Sequence, residues 1–153
     1  MKTVAKLELD VSYAARRPWV PSPRQVARWA GAALGTLQRS TVLSVRVVGR
    51  ARSRSLNAHY RHKDKATNVL SFGGAGRVPD GRSYLGELVI CAPIVAQEAR
   101  EQSKSLESHW AHMTVHGVLH LRGFDHEAEA EAVKMAAREI QILDRLGFSD
   151  PYR

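Results

Sequence analysis

Cysteine is nearly absent from this 153-residue chain: Cys91 stands alone, which rules out an internal disulfide and suits a reducing cytoplasm. On its own it reads as a core thiol rather than a nucleophile. No apolar run approaches the ~20 residues of a membrane-spanning helix, so a peripheral contact is the most a membrane would receive. The opening Met1-Lys2-Thr3-Val4-Ala5-Lys6-Leu7-Glu8-Leu9-Asp10 lacks the apolar stretch of a signal peptide and alternates like a strand instead. Repeats and low-complexity tracts are missing. The Gly-rich stretch 73–83 holds no phosphate-binding fingerprint and is expected to be a flexible connection. Acids are scarce where bases are plentiful. Residues 1–63 contain thirteen Lys or Arg against Glu8 and Asp10 alone, a local charge of +11, whereas residues 64–153 contain ten bases and thirteen acids, −3, which makes the total +8. A basic half suits a polyanion, because neutralising phosphates releases counterions and drives binding.

With 44% hydrophobic residues the chain has enough apolar material for one compact domain. Periodicity predicts a strand over 3–11, a connection over 16–21 and a helix over 23–38, with Ser22 as N-cap and Pro23 at the first position. Residues 41–48 read as a strand with Leu43, Val45 and Val47 on one side. A short helix over 52–61 follows, then strands over 69–72 and 84–91. Pro93 opens the helical part, with helices over 94–103, 106–122 and 127–146, the last closed by Gly147 with Pro151 beyond. The fold class is α+β: a small mixed sheet covered by helices.

The chemistry concentrates in His116-Gly117-Val118-Leu119-His120-Leu121-Arg122-Gly123-Phe124-Asp125-His126. His116 and His120 are four residues apart and project from one face of a helix. Gly123 takes the left-handed conformation that ends a helix, so the chain folds back and brings His126 towards the other two. Three neutral imidazoles with a fourth position left for water form a catalytic zinc site. His112 extends the row, but it lies roughly 12 Å of helix rise from His120, so packing or support of a ligand is its expected role. His109 is expected at the surface. Asp125 is expected to be an N-cap rather than a ligand, since Glu127, Glu129 and Glu131 follow as an acidic first turn.

The spacing matches the metzincin pattern H-E-x-x-H-x-x-G-x-x-H at every histidine and at the glycine. The glutamate that would serve as general base is replaced by Gly117. A peptidase therefore remains an alternative reading that lacks its base. A non-catalytic factor, using a structural metal and holding RNA with the basic half, is the other alternative.

A second block runs Leu56-Asn57-Ala58-His59-Tyr60-Arg61-His62-Lys63-Asp64-Lys65-Ala66-Thr67-Asn68-Val69-Leu70-Ser71-Phe72. Together with Leu85-Gly86-Glu87-Leu88-Val89-Ile90 and the histidine segment, it resembles the YbeY family of metal-dependent endoribonucleases, in order from about Val42 to Gly147. The resemblance implies that His116, His120 and His126 are metal ligands for one Zn2+, with other divalent transition metals able to replace it. It also implies a catalytic Arg61, from the family's L-N-x-x-Y-R stretch. The implied activity is cleavage of single-stranded RNA in ribosomal RNA maturation, including 3′-end processing of the small-subunit rRNA, and in ribosome quality control. The implied partners are rRNA, the ribosome and the ribosome-assembly GTPase Era. In that scheme the ion polarises a phosphoryl oxygen or lowers a water pKa towards ~7, and either water or the RNA 2′-hydroxyl attacks.

Arg61 has two readings on residue chemistry alone: a guanidinium offering paired donors to a phosphate, or a cation at a helix C-terminus. Lys63 and Lys65 read as diffuse electrostatic contacts. The family pattern has Asp where this chain has Asn68 and Glu87. Asn68 keeps a hydrogen-bonding side chain without the charge. Glu87 reads either as a group orienting a histidine or as an edge-strand charge.

Overall fold

Alternation of side chains along an extended backbone decides which residues enter the core. In β2 (Thr41–Val48) it buries Leu43, Val45 and Val47 completely on one face. The computed structural model describes residues 4–77 and 79–153, of which 75–77 as backbone only. β1 (Leu7–Tyr13) pairs parallel with β2, β2 parallel with β4 (Ser83–Cys91), and β3 (Val69–Arg77) antiparallel with β4, giving the order β1-β2-β4-β3. β1 reaches β2 through α1 (Pro23–Leu34), and β2 reaches β4 by way of α2 (Arg50–Arg61) and β3. Three helices follow: α3 (Ala92–Glu101), α4 (Leu106–Leu121) and α5 (Glu129–Arg145).

The main core lies between the sheet and α1 and α4. Val26, Trp29 and Ala30 of α1 and Trp110, Ala111, Val115 and Val118 of α4 meet Leu43, Val45, Leu88 and Ile90. From His109 to Leu119 every residue of α4 except His116 is buried. A helix covered on all sides in this way is a fixed part of the interior, and α3 and α5 supply the rest of the cover. Gly117 marks where α4 lies directly on the sheet. A Cβ there would stand 2.8 Å from Leu88 Cδ2 and 3.2 Å from Val69 Cγ2. The opposite sheet face carries a smaller apolar cluster of Val48, Leu70, Val89 and Cys91, capped by Leu56, Phe72 and Ile94. Cys91 is thus the core thiol expected, and burial pushes its pKa up.

The N-terminal cap of α1 is as expected. Ser22 Oγ accepts from the Gln25 amide at 3.2 Å while Gln25 Oε1 accepts from the Ser22 amide at 2.9 Å, with Pro23 at the first position. Several boundaries differ from expectation. α1 stops at Leu34 rather than residue 38 because Gly35 turns the chain at φ 69°. β1 runs two residues further than expected, to Tyr13, and residue 3 of the expected strand lies outside the described residues. The stretch 73–83 is only partly a connection. β3 continues to Arg77, pairing Gly73 with Gly86 and Gly76 with Tyr84 across an irregularity, so ladder formation with β4 overrides the weak strand preference of glycine. Among the described residues no helix is long and apolar enough to cross a membrane.

Candidate metal centre

α4 ends in a reversal that its sequence encodes. Phe124 N–H bonds the Leu119 carbonyl and Gly123 N–H the His120 carbonyl, both at 3.0 Å, with Gly123 at φ 98°. This 6→1 and 5→2 pair is the Schellman stop, which favours a residue without a Cβ at the left-handed position. The returning chain places His126 beside the two helical histidines. Ring centroids are 4.7 Å apart for His116–His120, 5.4 Å for His116–His126 and 4.7 Å for His120–His126. One nitrogen from each ring lies within 4.8 Å of the others. His116 and His120 are half-buried and His126 is exposed, so the cluster opens to solvent on the His126 side.

The donor chemistry fits a metal cation. His116 Nε2 and His120 Nε2 are 3.1 Å apart. Two nitrogens at ~2.1 Å from one tetrahedral zinc stand about 3.4 Å apart. The tautomer of His116 is set from behind. Its Nδ1 lies 3.0 Å from Glu139 Oε2, which also meets His112 Nε2 at 2.7 Å, while Tyr152 donates its hydroxyl to Oε1 at 2.5 Å. Glu139 is 1% exposed. Burial pushes its carboxyl up, but the bonds from His112, His116 and Tyr152 prevail and hold it at about 2. It is therefore an anion that only accepts. His116 must offer Nδ1–H, which leaves the lone pair of Nε2 pointing at His120 and His126. Burial lowers the pKa of His120, and the neighbouring His116 and His126 lower it further, favouring the neutral ring that ligates a metal. The Tyr152 phenol is pushed well up by burial and by Glu139, so it keeps its proton and stays the donor.

His112, His116 and Glu139 form a second close group of ligand atoms. Its 2.7 Å and 3.0 Å separations are those of hydrogen bonds. His112 thus supports the site as expected rather than joining it. Burial lowers its pKa, which keeps the ring neutral.

Other residues stand differently from expectation. His109 is buried, not at the surface: its Nε2 meets Glu98 Oε1 at 2.8 Å, and Asn68 Nδ2 also donates to Glu98, at 3.1 Å. Burial alone would raise the Glu98 carboxyl, but these partners lower it. Asp125 is not an N-cap, since that position falls to Ala128 without a side-chain bond. Its Oδ1 accepts from the His126 amide at 2.7 Å and the Glu127 amide at 3.3 Å, bracing the turn that carries His126. Glu87 lies on β4, an inner strand, and pairs with Arg46 at 3.6 Å rather than with a histidine, so neither of its expected roles holds.

Arg61 is a basic residue in the last turn of α2, the helix-C-terminal cation of one of its two readings. α2 ends on His62 in the left-handed region, φ 59°, while the Arg61 guanidinium lies over the Phe72 ring at 5.0 Å and donates to the Ser71 carbonyl at 2.8 Å. Ser71 Oγ in turn donates to the Gly117 carbonyl at 3.2 Å, so one residue of β3 links Arg61 to the histidine helix. Glu139 was not singled out from sequence. The signal was there: it falls in the buried stripe of α5 with Met135, Ile142 and Leu143, where a carboxylate needs a partner.

Fold and site together define a small α+β protein with a three-histidine cluster able to hold a metal ion. The chain belongs to the YbeY family: residues 22–147 match the family described as Endoribonuclease YbeY. The match begins ahead of the segment from Val42 that carries the resemblance, and takes in α1. The Endoribonuclease YbeY of Stenotrophomonas maltophilia (strain K279a) is 50% identical over 153 residues, covering 96% of this chain and 94% of that one. That of Xanthomonas campestris pv. campestris (strain B100) is 50% identical over 157 residues, covering 99% and 96%. The solution structure of TM1509 from Thermotoga maritima shares the fold, with a TM-score of 0.54 and 21% identity over 92% of each chain.

Proposed function

We propose that this protein is a metal-dependent endoribonuclease of the cytoplasm that cuts single-stranded RNA during ribosomal RNA maturation, at the 3′ end of the small-subunit rRNA, and in ribosome quality control. The observation that carries this reading is the convergence of His116, His120 and His126, with Glu139 fixing the His116 tautomer so that Nε2 faces the other two rings. Those three histidines would hold one Zn2+. When bound, such an ion supplies Lewis-acid polarisation of a phosphoryl oxygen and a lowered pKa for a nearby water. The relatives carry the name endoribonuclease, which supports RNA as the substrate.

Arg61 is the proposed catalytic residue. It is exposed, and a guanidinium has five N–H donors, of which the bond to Ser71 uses one. The rest are available to a phosphate as charge builds on it. The surplus of Lys and Arg in residues 1–63 would hold the strand. Ribosomal RNA within the ribosome and the assembly GTPase Era are the partners this reading implies. The peptidase alternative loses support at Gly117, which supplies no carboxylate as base and where even a Cβ would crowd the Leu88 side chain. The test is cleavage of a single-stranded RNA by the purified chain, with Arg61→Ala and His116→Ala alongside metal analysis. His116→Ala should lose both zinc and cleavage. Arg61→Ala should keep zinc and lose about a hundredfold or more in kcat, the scale of one transition-state donor. Full cleavage by zinc-free protein would refute the role of the metal.

A further inference from the structure

The segment after α5 folds back against the helix that bears the histidines. α5 ends as α4 does, with Phe148 N–H to the Leu143 carbonyl at 2.8 Å and Gly147 N–H to the Asp144 carbonyl at 3.0 Å, Gly147 being at φ 91°. Phe148 then meets the buried Trp29 edge-on, centroids 6.2 Å apart. Further along, Lys104 Nζ donates to the Pro151 carbonyl, and Asp150 Oδ1 accepts from the Tyr152 amide at 2.8 Å. These contacts aim Tyr152 inward although the residue is 56% exposed. Its ring stands edge-on to His112 at 5.4 Å, and its hydroxyl reaches Glu139 Oε1 at 2.5 Å.

The same carboxylate has its other oxygen committed to His112 and His116. The terminal torsion of a glutamate is broad and roughly two-fold, so two histidines on Oε2 do not by themselves fix the carboxylate plane. The Tyr152 hydroxyl gives the second anchor, on the other oxygen. We infer that Tyr152 is a positioning residue for the metal centre, holding Glu139 in the orientation that presents His116 Nε2 to the ion. This inference rests on the metal-centre reading given above.

The test compares Zn2+ titrations of the full chain with the thermal unfolding of its metal-free form, for wild type, Tyr152→Phe, Tyr152→Ala and Ser22→Ala. The Phe variant retains the ring against His112 and loses only the hydroxyl. It loses a charge-assisted bond to a buried carboxylate, so its metal-free Tm should fall modestly, while its Zn2+ Kd rises about tenfold, the usual scale for losing a group behind a ligand. The Ala variant should raise the Kd as far and lower the metal-free Tm further, because it also loses the ring against His112. Wild-type Zn2+ affinity in Tyr152→Phe would overturn the inference, and so would an equal affinity loss in Ser22→Ala, which lowers the metal-free Tm from the far α1 cap. Those results leave the metal centre standing. A wild-type chain that binds no Zn2+ removes the metal centre itself, and the inference with it.

Discussion

Glu98 on α3 and Glu139 on α5 both reach across to α4 and take histidines at hydrogen-bond distance, 2.8 Å to His109 in one case and 2.7 and 3.0 Å to His112 and His116 in the other. The local chemistry is the same, and both carboxyls sit below their ordinary value despite burial. The difference lies in what the far side of the ring meets. Among the described residues the free nitrogen of His109 is buried and meets no hydrogen-bond partner, so the Glu98 pair ends inside the protein. The free nitrogen of His116 faces His120 across 3.1 Å, so the hold of Glu139 is passed on to the open cluster. A buried carboxylate beside a histidine is therefore not in itself a mark of function. The direction of the second ring nitrogen decides.

Removing the charge from Glu139 should break this comparison most sharply. Glu139→Gln is expected to raise the Zn2+ Kd ten- to a hundredfold, measured by competition with a chromophoric chelator. An unchanged Kd would put the two carboxylates in one class. Gly117→Ala should erase the distinction from the other side. Its Cβ would drive α4 off Leu88, costing about 1–3 kcal/mol of overpacking in denaturant unfolding, and it should weaken Zn2+ binding at the same time because both pairs ride on that helix. Glu98→Gln sharpens the comparison: about 1–2 kcal/mol of stability lost with its charged hydrogen bonds, and a Zn2+ Kd equal to wild type. The sign of its pH dependence follows from a carboxyl lowered on folding. The stabilisation is present above the ordinary carboxylate range and is lost as the pH falls below it through the lower value of the folded carboxyl, a loss the Gln variant should not show. Ser22→Ala is the smallest and most distant change. It should cost about 1 kcal/mol by removing the α1 cap and leave the metal titration untouched.

Much of this was legible in the chain itself. The i, i+4 histidines, the left-handed glycine and the third histidine form a local pattern, and local geometry is what periodicity and caps encode. Ser22, Pro23 and the 41–48 alternation were readable for the same reason. Tertiary partners were not readable. Nothing in the neighbourhood of His109 announces that Glu98 waits on another helix, so an isolated histidine beside Ser108 reads as surface. The glycines of 73–76 read as a connection because their pairing depends on β4, which no short window contains. Asp125 has the composition of a cap, and only the path of the chain shows it bracing a turn three residues earlier. The roles of Glu139 and Tyr152 depend on how α5 and the segment beyond it dock.

Ser71 is a single small residue on an edge strand, and its two oxygens point to different owners. Its carbonyl receives Arg61 and its hydroxyl gives to the backbone between His116 and Val118. Both bonds pass through one residue of a strand paired to β4, so Ser71 ties the guanidinium to the backbone of the helix that carries the imidazoles. The two halves of the proposed chemistry, carried by helices on opposite sides of the sheet, are thereby linked without ever touching.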